Sequence, residues 1–285
     1  MLTNGKILTV ENDFLKVRIG TVGAALLSGE HKEYGDFLVY IHDDEFSDGY
    51  VGKTIAPWVN RVKNGEYSVD GQNYYLPIND VETNSALHGL VAWNEFSVLE
   101  EDAENVLLSS YIYPSPSFPF KGEVLVKYFL EKDVLNCDIT VTNLSNTKIP
   151  IGICSHPYIK HPNAESIDEC AFSVVSETGV NNNQSCVLKA DLNYLGNFSL
   201  DNCYEIDSPW KVILSHKNTK QYFSKVIVSS NSKYLQLYSG ESVKRRGFAV
   251  EPCTSGVDMY GETKKGEFLE PDSRKKLQYT IRVEP

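Results

Sequence analysis

Apolar and polar residues alternate with a period of two along most of this chain, which predicts strands rather than helices. Residues 14–19, 37–41, 106–113, 124–130, 135–142, 211–216, 222–228, 234–238 and 277–283 all read as strands. They are rich in Val, Ile, Tyr, Phe and Thr, which suit a pleated, half-buried surface, and Gly, Asn, Asp or Pro bound them. Two hairpins are explicit. Tyr67-Ser68-Val69 and Tyr74-Tyr75-Leu76 flank Asp70-Gly71, a pair that tolerates the positive φ of a tight turn, and Lys132-Asp133 joins the next long pair of strands.

No segment reads as an amphipathic helix of three turns. Residues 262–275 are charged but contain Gly266 and Pro271, which predict a loop. Many short strands without a βαβ rhythm predict an all-β antiparallel sandwich or barrel and exclude a doubly wound nucleotide fold. Two segments depart from the pattern, 49–64 and 79–89, being polar, aromatic and irregular. Loops of that kind over a rigid sheet are where binding groups are carried.

Composition narrows the function. With 285 residues and 41% hydrophobic content the chain can bury one large core, and a single domain over 1–285 is expected. A net charge of −11 with no basic stripe argues against a nucleic-acid partner. Residues 1–14 lack the continuous apolar stretch of a signal peptide or anchor, and no later run is long enough to span a membrane. The six cysteines, at 137, 154, 170, 186, 203 and 253, include no Cys-x-x-Cys pair. They read as reduced thiols buried in strands of a cytoplasmic protein.

Four local groups carry candidate chemistry. They are Val51 to Gly65 with Trp58, Asn60 and Arg61; Asn84-Ser85-Ala86-Leu87-His88-Gly89; Gly152-Ile153-Cys154-Ser155-His156-Pro157-Tyr158; and Gly247-Phe248-Ala249-Val250-Glu251-Pro252. In this order they resemble the aldose 1-epimerase (mutarotase) family. That family has an Asn-Arg-Ile/Val…Asn-Gly stretch, Leu-His-Gly, His-Pro-Tyr and a late strand bearing a catalytic Glu. The likeness continues through the hairpin 65–77 and ends with 269–283. Asp201, followed by an aromatic at Tyr204, stands where the family places a sugar-binding Asp. Ala56-Pro57 replaces the Gly-Arg of many members, Pro252 follows Glu251, and Ile159-Lys160 follow the His-Pro-Tyr, which marks a divergent branch.

The resemblance implies a large galactose mutarotase-like β-sandwich, acting as monomer or homodimer on a sugar without cofactor or metal. It assigns the catalytic base to Glu251 and the acid to His156. Opening a cyclic hemiacetal needs one proton taken from the anomeric hydroxyl and one given to the ring oxygen, so one base and one acid suffice. A carboxylate partly desolvated between strands becomes a competent base near neutrality, and a histidine can be protonated at the same pH. Arg61, His88 and Asn60 would bind the sugar and Asp201 would fix a distal hydroxyl, while Trp58, Tyr158 or Phe248 could stack on the ring.

Other readings of the same residues exist. His156 and His161, with Pro157 and Pro162 intervening, make a poor metal pair, so no metal is expected. Ser155-His156 cannot be a nucleophile–base pair, because adjacent strand residues point to opposite faces. A glycoside hydrolase needs two carboxylates, and Glu251 is the one nominated. The remaining alternatives are a hexose-6-phosphate 1-epimerase, for which Lys244-Arg245-Arg246 could grip phosphate, and a non-catalytic carbohydrate-binding protein.

Overall fold

The computed structural model describes residues 2–46, 48–176, 193–197, 199–206, 209–261 and 267–285. Cys186 lies outside them. Every strand pairing among these residues is antiparallel, and the only helices are three single-turn 3₁₀ segments.

A nine-stranded sheet forms one layer. Its centre is Gly122–Glu131, Val134–Asn143 and Arg274–Glu284, where buried and half-exposed residues alternate along each strand. The inner set includes Val124, Val126, Tyr128, Leu135, Cys137, Ile139, Tyr279 and Ile281, all at most 2% exposed. Each such side chain contributes about 1.5–3 kcal/mol of burial, so the alternation itself fixes which face turns inward. The tight connections are as expected: Lys132 has φ 54° between the long strands, and Asp70 and Gly71 have φ 50° and 82° in their hairpin.

The second principal sheet runs Asp201–Glu205, Tyr234–Tyr238, Phe248–Cys253, Cys154–Ser155 and Thr54–Ile55, with Tyr158–Ile159 also paired to Phe248–Cys253. Phe248–Cys253 is buried at every position, so it shows no alternation despite being a strand.

The structure corrects several expected elements. Residues 37–41 are not a strand: Phe37 and Ile41 donate to Gly29 and Leu27 on one side, and Val39 donates to Tyr158 on the other. Only one isolated bridge, Leu38 to Ile159, results. Residues 222–224 are irregular and follow a turn at 219–221 that the Tyr222 amide closes by donating to the Asn218 carbonyl, and the strand begins at Lys225. Within the expected loop 262–275, Glu267–Leu269 pairs with Ile149–Ile151, and the last strand starts at Arg274. Ser97–Glu101 escapes sequence reading because it is a solvent-facing edge strand with no apolar stripe.

Candidate active site

The second sheet and the two irregular loops enclose a hollow of about 180 Å³. Asn60, Arg61, His88, His156, Tyr158, Asp201 and Glu251 all line it. Seven of the eight residues first nominated from sequence therefore converge. The eighth, Trp58, does not. Its indole is 2% exposed, packs near Phe118 and donates from Nε1 to the Ala86 carbonyl, so it anchors the loop instead of facing a ligand. Phe248 is likewise withdrawn from the hollow, packed against Phe172.

Local pairing explains the convergence. Glu251 lies mid-strand, opposite Gln236 on the neighbouring strand. His156 sits where the chain passes from the Cys154–Ser155 pairing to the Tyr158–Ile159 pairing along the same Glu251 strand. Its amide donates to the Lys53 carbonyl and its carbonyl accepts from Gly52, so the backbone is held from both sides. Ser155 points the other way, to the Tyr279 hydroxyl at 2.8 Å. Arg61 pairs with Leu87 in a short ladder that brings His88 to the hollow, where the His88 amide donates to the Asn60 carbonyl. Gly89 is required here, because a Cβ at that position would stand 2.2 Å from the Ala56 carbonyl oxygen.

At the closed end, His156 Nε2 and Glu251 Oε1 are 3.3 Å apart, with side chains 6% and 4% exposed. Burial, together with the negative charge of Asp201, pushes the Glu251 carboxyl well above its ordinary value, while the Cys154 thiol, donating to Oε2 at 3.6 Å, acts in the opposite sense. Burial lowers His156 to about 3. A histidine protonated independently near neutrality is thus not what the structure supplies. Burial thus favours the uncharged form of each member, and a pair carrying one proton, on either member, offers one acid and one base. His156 stacks on Tyr158 with ring centroids 5.1 Å apart and meets His88 edge-on at 5.4 Å. His88 is also pushed well below its usual value, by burial first and then by His156 and Arg61.

At the rim the groups form an ion-pair network. Arg61 Nε donates to Asp80 Oδ2 at 2.7 Å, and its Nη1 lies 4.0 Å from Asp201 Oδ2. Burial raises Asp80, but hydrogen bonds from Arg61 and Thr83 and the Arg61 charge outweigh it, so its carboxyl ends low. Asp201 is raised by burial against the opposing effects of Arg61 and Gln236, and accepts a 2.5 Å hydrogen bond from Gln236 Nε2.

Three buried polar atoms on residues lining the hollow have no hydrogen-bond partner: His88 Nδ1, His156 Nδ1 and Gln236 Oε1. Leaving such atoms unsatisfied costs about 1–3 kcal/mol each, which a polar ligand would recover. Gln236 was missed from sequence although its signal matches that of Glu251, a polar residue inside an apolar strand, Tyr-Leu-Gln-Leu-Tyr. Tyr50 and Asp80 lay in the two loops already singled out; Tyr238 and Ser242 carried no signal.

Among the described residues, Cys154, Glu251 and Cys253 are the group that could hold a metal, with potential ligand atoms within 4.8 Å of one another. Sequence spacing hid this group. Burial raises both thiols above their ordinary value, so a cation would have to displace their protons. The five described cysteines lie in strands, four of them buried.

This sandwich, with polar loops gathered over one sheet around a buried carboxyl–imidazole pair, has the fold of the galactose mutarotase-like proteins. A structure of that description from Clostridium acetobutylicum superposes with a TM-score of 0.80, at 13% identity, covering 97% of this chain and 94% of that one. Galactose 1-epimerase from Lactobacillus acidophilus NCFM superposes with a TM-score of 0.77, at 16% identity, covering 97% and 93%. At these identities the likeness is one of fold. The chain belongs to the aldose 1-epimerase family, whose pattern it matches over residues 6–282. Among its relatives is the uncharacterized protein YihR of Escherichia coli (strain K12), 31% identical over 281 residues, which cover 91% of this chain and 89% of YihR.

Proposed function

We propose that the chain, acting as one domain over residues 1–285, interconverts the α and β anomers of a free aldose. The observation that carries this reading is the buried Glu251–His156 pair, 3.3 Å apart at the closed end of a polar hollow. The two oxygens that exchange protons in ring opening share one carbon, so acid and base must stand close together, as these do. Glu251 takes the proton of the anomeric hydroxyl and His156 serves the ring oxygen. His156 gives its proton to that oxygen as Glu251 gains one, so the pair carries one proton throughout, and reclosure on the other face reverses both transfers. His88 and Arg61 hydrogen-bond the sugar, and Asp201 with Gln236 holds a hydroxyl distant from the anomeric carbon. Tyr158, stacked on His156, fixes the imidazole plane.

A purely carbohydrate-binding protein has no need to bury an acid and a base in contact, where both lose solvation. A phosphorylated substrate is disfavoured by the basic run. Arg245 is held by Asp168, Glu241 and the Leu195 carbonyl, and Arg246 lies 3.6 Å from Glu45; neither lines the hollow. Polarimetry of freshly dissolved α-glucose and α-galactose tests the proposal. Protein-dependent acceleration of the approach to the equilibrium rotation supports it, and an unchanged rate with both sugars rejects it.

A further inference from the structure

Cys154, Glu251 and Cys253 turn to one face of the second sheet. Glu251 and Cys253 are two apart on the strand Phe248–Cys253, whose register opposite Gln236 and Tyr234 is unbroken, so their side chains project the same way. Cys154 stands directly opposite Cys253 on the neighbouring strand and shares that face. All three residues are at most 3% exposed. The thiols pack with Ile55, Val59 and Tyr234, and of the three only Glu251 lines the hollow that holds His156. The thiols thus stand behind the carboxyl, and Cys253 has no part in proton transfer between Glu251 and His156.

The spacing of the polar atoms fits a metal ion. Potential ligand atoms of the three lie within 4.8 Å of one another, and Cys154 Sγ is 3.6 Å from Glu251 Oε2. Zn–S bonds of about 2.3 Å and Zn–O bonds of about 2.1 Å at the tetrahedral angle place sulfur and oxygen roughly 3.6 Å apart, and two sulfurs roughly 3.8 Å apart. One edge of that tetrahedron is therefore present already. The other two need close by no more than roughly 1.2 Å.

Charge balances as well. A divalent ion with two thiolates is neutral, and the two thiol protons leave to solvent. The single proton of the acid–base pair settles on His156, 3.3 Å from the other carboxylate oxygen, and its positive charge offsets that of Glu251. A buried site of net zero charge avoids the penalty of an uncompensated ion. Thiolate ligands select zinc or cadmium over magnesium and calcium.

We infer that Cys154, Cys253 and Glu251 form an inhibitory zinc site, in which the ion ligates both thiolates and takes Glu251 out of proton transfer. The inhibition, though not the binding, rests on the anomer-interconverting reading above. The test titrates the reduced protein with Cd²⁺, following thiolate-to-metal charge-transfer absorption in the ultraviolet, and measures mutarotation of α-glucose and α-galactose by polarimetry with added Zn²⁺ or Cd²⁺. The wild type is expected to bind one ion at this site, release about two protons and lose mutarotation; a chelator restores it, and Mg²⁺ has no effect. Cys253→Ser should keep metal-free activity within about twofold, weaken Cd²⁺ binding about 100-fold or more, and turn over sugar at the Zn²⁺ concentration that halts the wild type. Cys253→Ala checks the same loss without a hydroxyl. Absence of the absorption band, or a band and an inhibition that survive in both Cys253 variants, overturns the inference and leaves the proposed function standing. Saturated Cd²⁺ binding without loss of mutarotation overturns it too. A metal-free protein that accelerates mutarotation of neither sugar rejects the proposed function, and the titration of wild type against Cys253→Ser then decides the metal site alone.

Discussion

Glu251 and His156 occupy the closed end of the hollow with side chains 4% and 6% exposed, while Arg61 and Asp201 at its rim are 39% and 53% exposed. The two ends use the same chemical types, a carboxyl and a nitrogen base, under opposite physical conditions. At the closed end, loss of solvation penalises every charge, so the carboxyl rises and the imidazole falls. At the rim, Arg61 and Asp201 are partly open to water that screens their charges, and Arg61 is also paired with Asp80. Burial thus prepares one end for proton transfer, and partial exposure leaves the other to bind and orient.

The sharpest way to break this contrast is at the closed end. Glu251→Gln and His156→Asn should each lower kcat by about 10²–10⁴-fold, the usual worth of a general acid or base, with the far-ultraviolet circular dichroism unchanged. Near-wild-type kcat in either variant would remove that residue from proton transfer.

The pH profile tests the shared proton directly. Because the Glu251 value is raised and that of His156 is lowered to about 3, the one-proton form should persist as pH falls through 6.5, the ordinary histidine value. A second proton then disables the base only near the lowered value, and the basic limb marks loss of the last proton. An acidic limb at 6.5 in kcat/KM would show that His156 titrates as a solvated imidazole.

At the rim the expected effects are smaller and of another kind. Asp201→Asn should raise KM about tenfold while changing kcat much less, since it weakens a binding contact outside proton transfer. A kcat loss as large as that of Glu251→Gln would merge the two ends into one catalytic unit. Trp58→Phe should leave kcat/KM unchanged and cost about 1–3 kcal/mol in urea unfolding, through loss of the bond to the Ala86 carbonyl. The smallest effect is expected from Arg245→Ala combined with Arg246→Ala. Their partners are Asp168, Glu241 and Glu45, so turnover of free aldoses should not change. A wild-type preference for glucose 6-phosphate that this double variant abolishes would favour the phosphorylated substrate instead.

Period-two alternation and two turn pairs, Asp70-Gly71 and Lys132-Asp133, were enough to predict an antiparallel all-β fold, because strand faces and tight turns are decided by neighbours in sequence. The same local logic exposed Glu251, a carboxyl too costly to bury in an apolar strand without purpose, and could have exposed Gln236. It failed where local pattern and environment part company. The apolar segment 37–41 has the composition of a strand, but its backbone bonds are divided between Gly29, Leu27 and Tyr158. Trp58 sits among binding residues, yet the loop turns its indole into the core. The row Glu251–Gln236–Cys203, the Arg61–Asp80 pair and the grouping of Cys154 with Cys253 depend on which distant strands and loops meet and in what register. The proton affinities of Glu251 and His156 depend on how much water the whole fold excludes. Sequence determined which residues could take part; register and desolvation, which are properties of the assembled sheets, decided where they stand and which of them hold a proton.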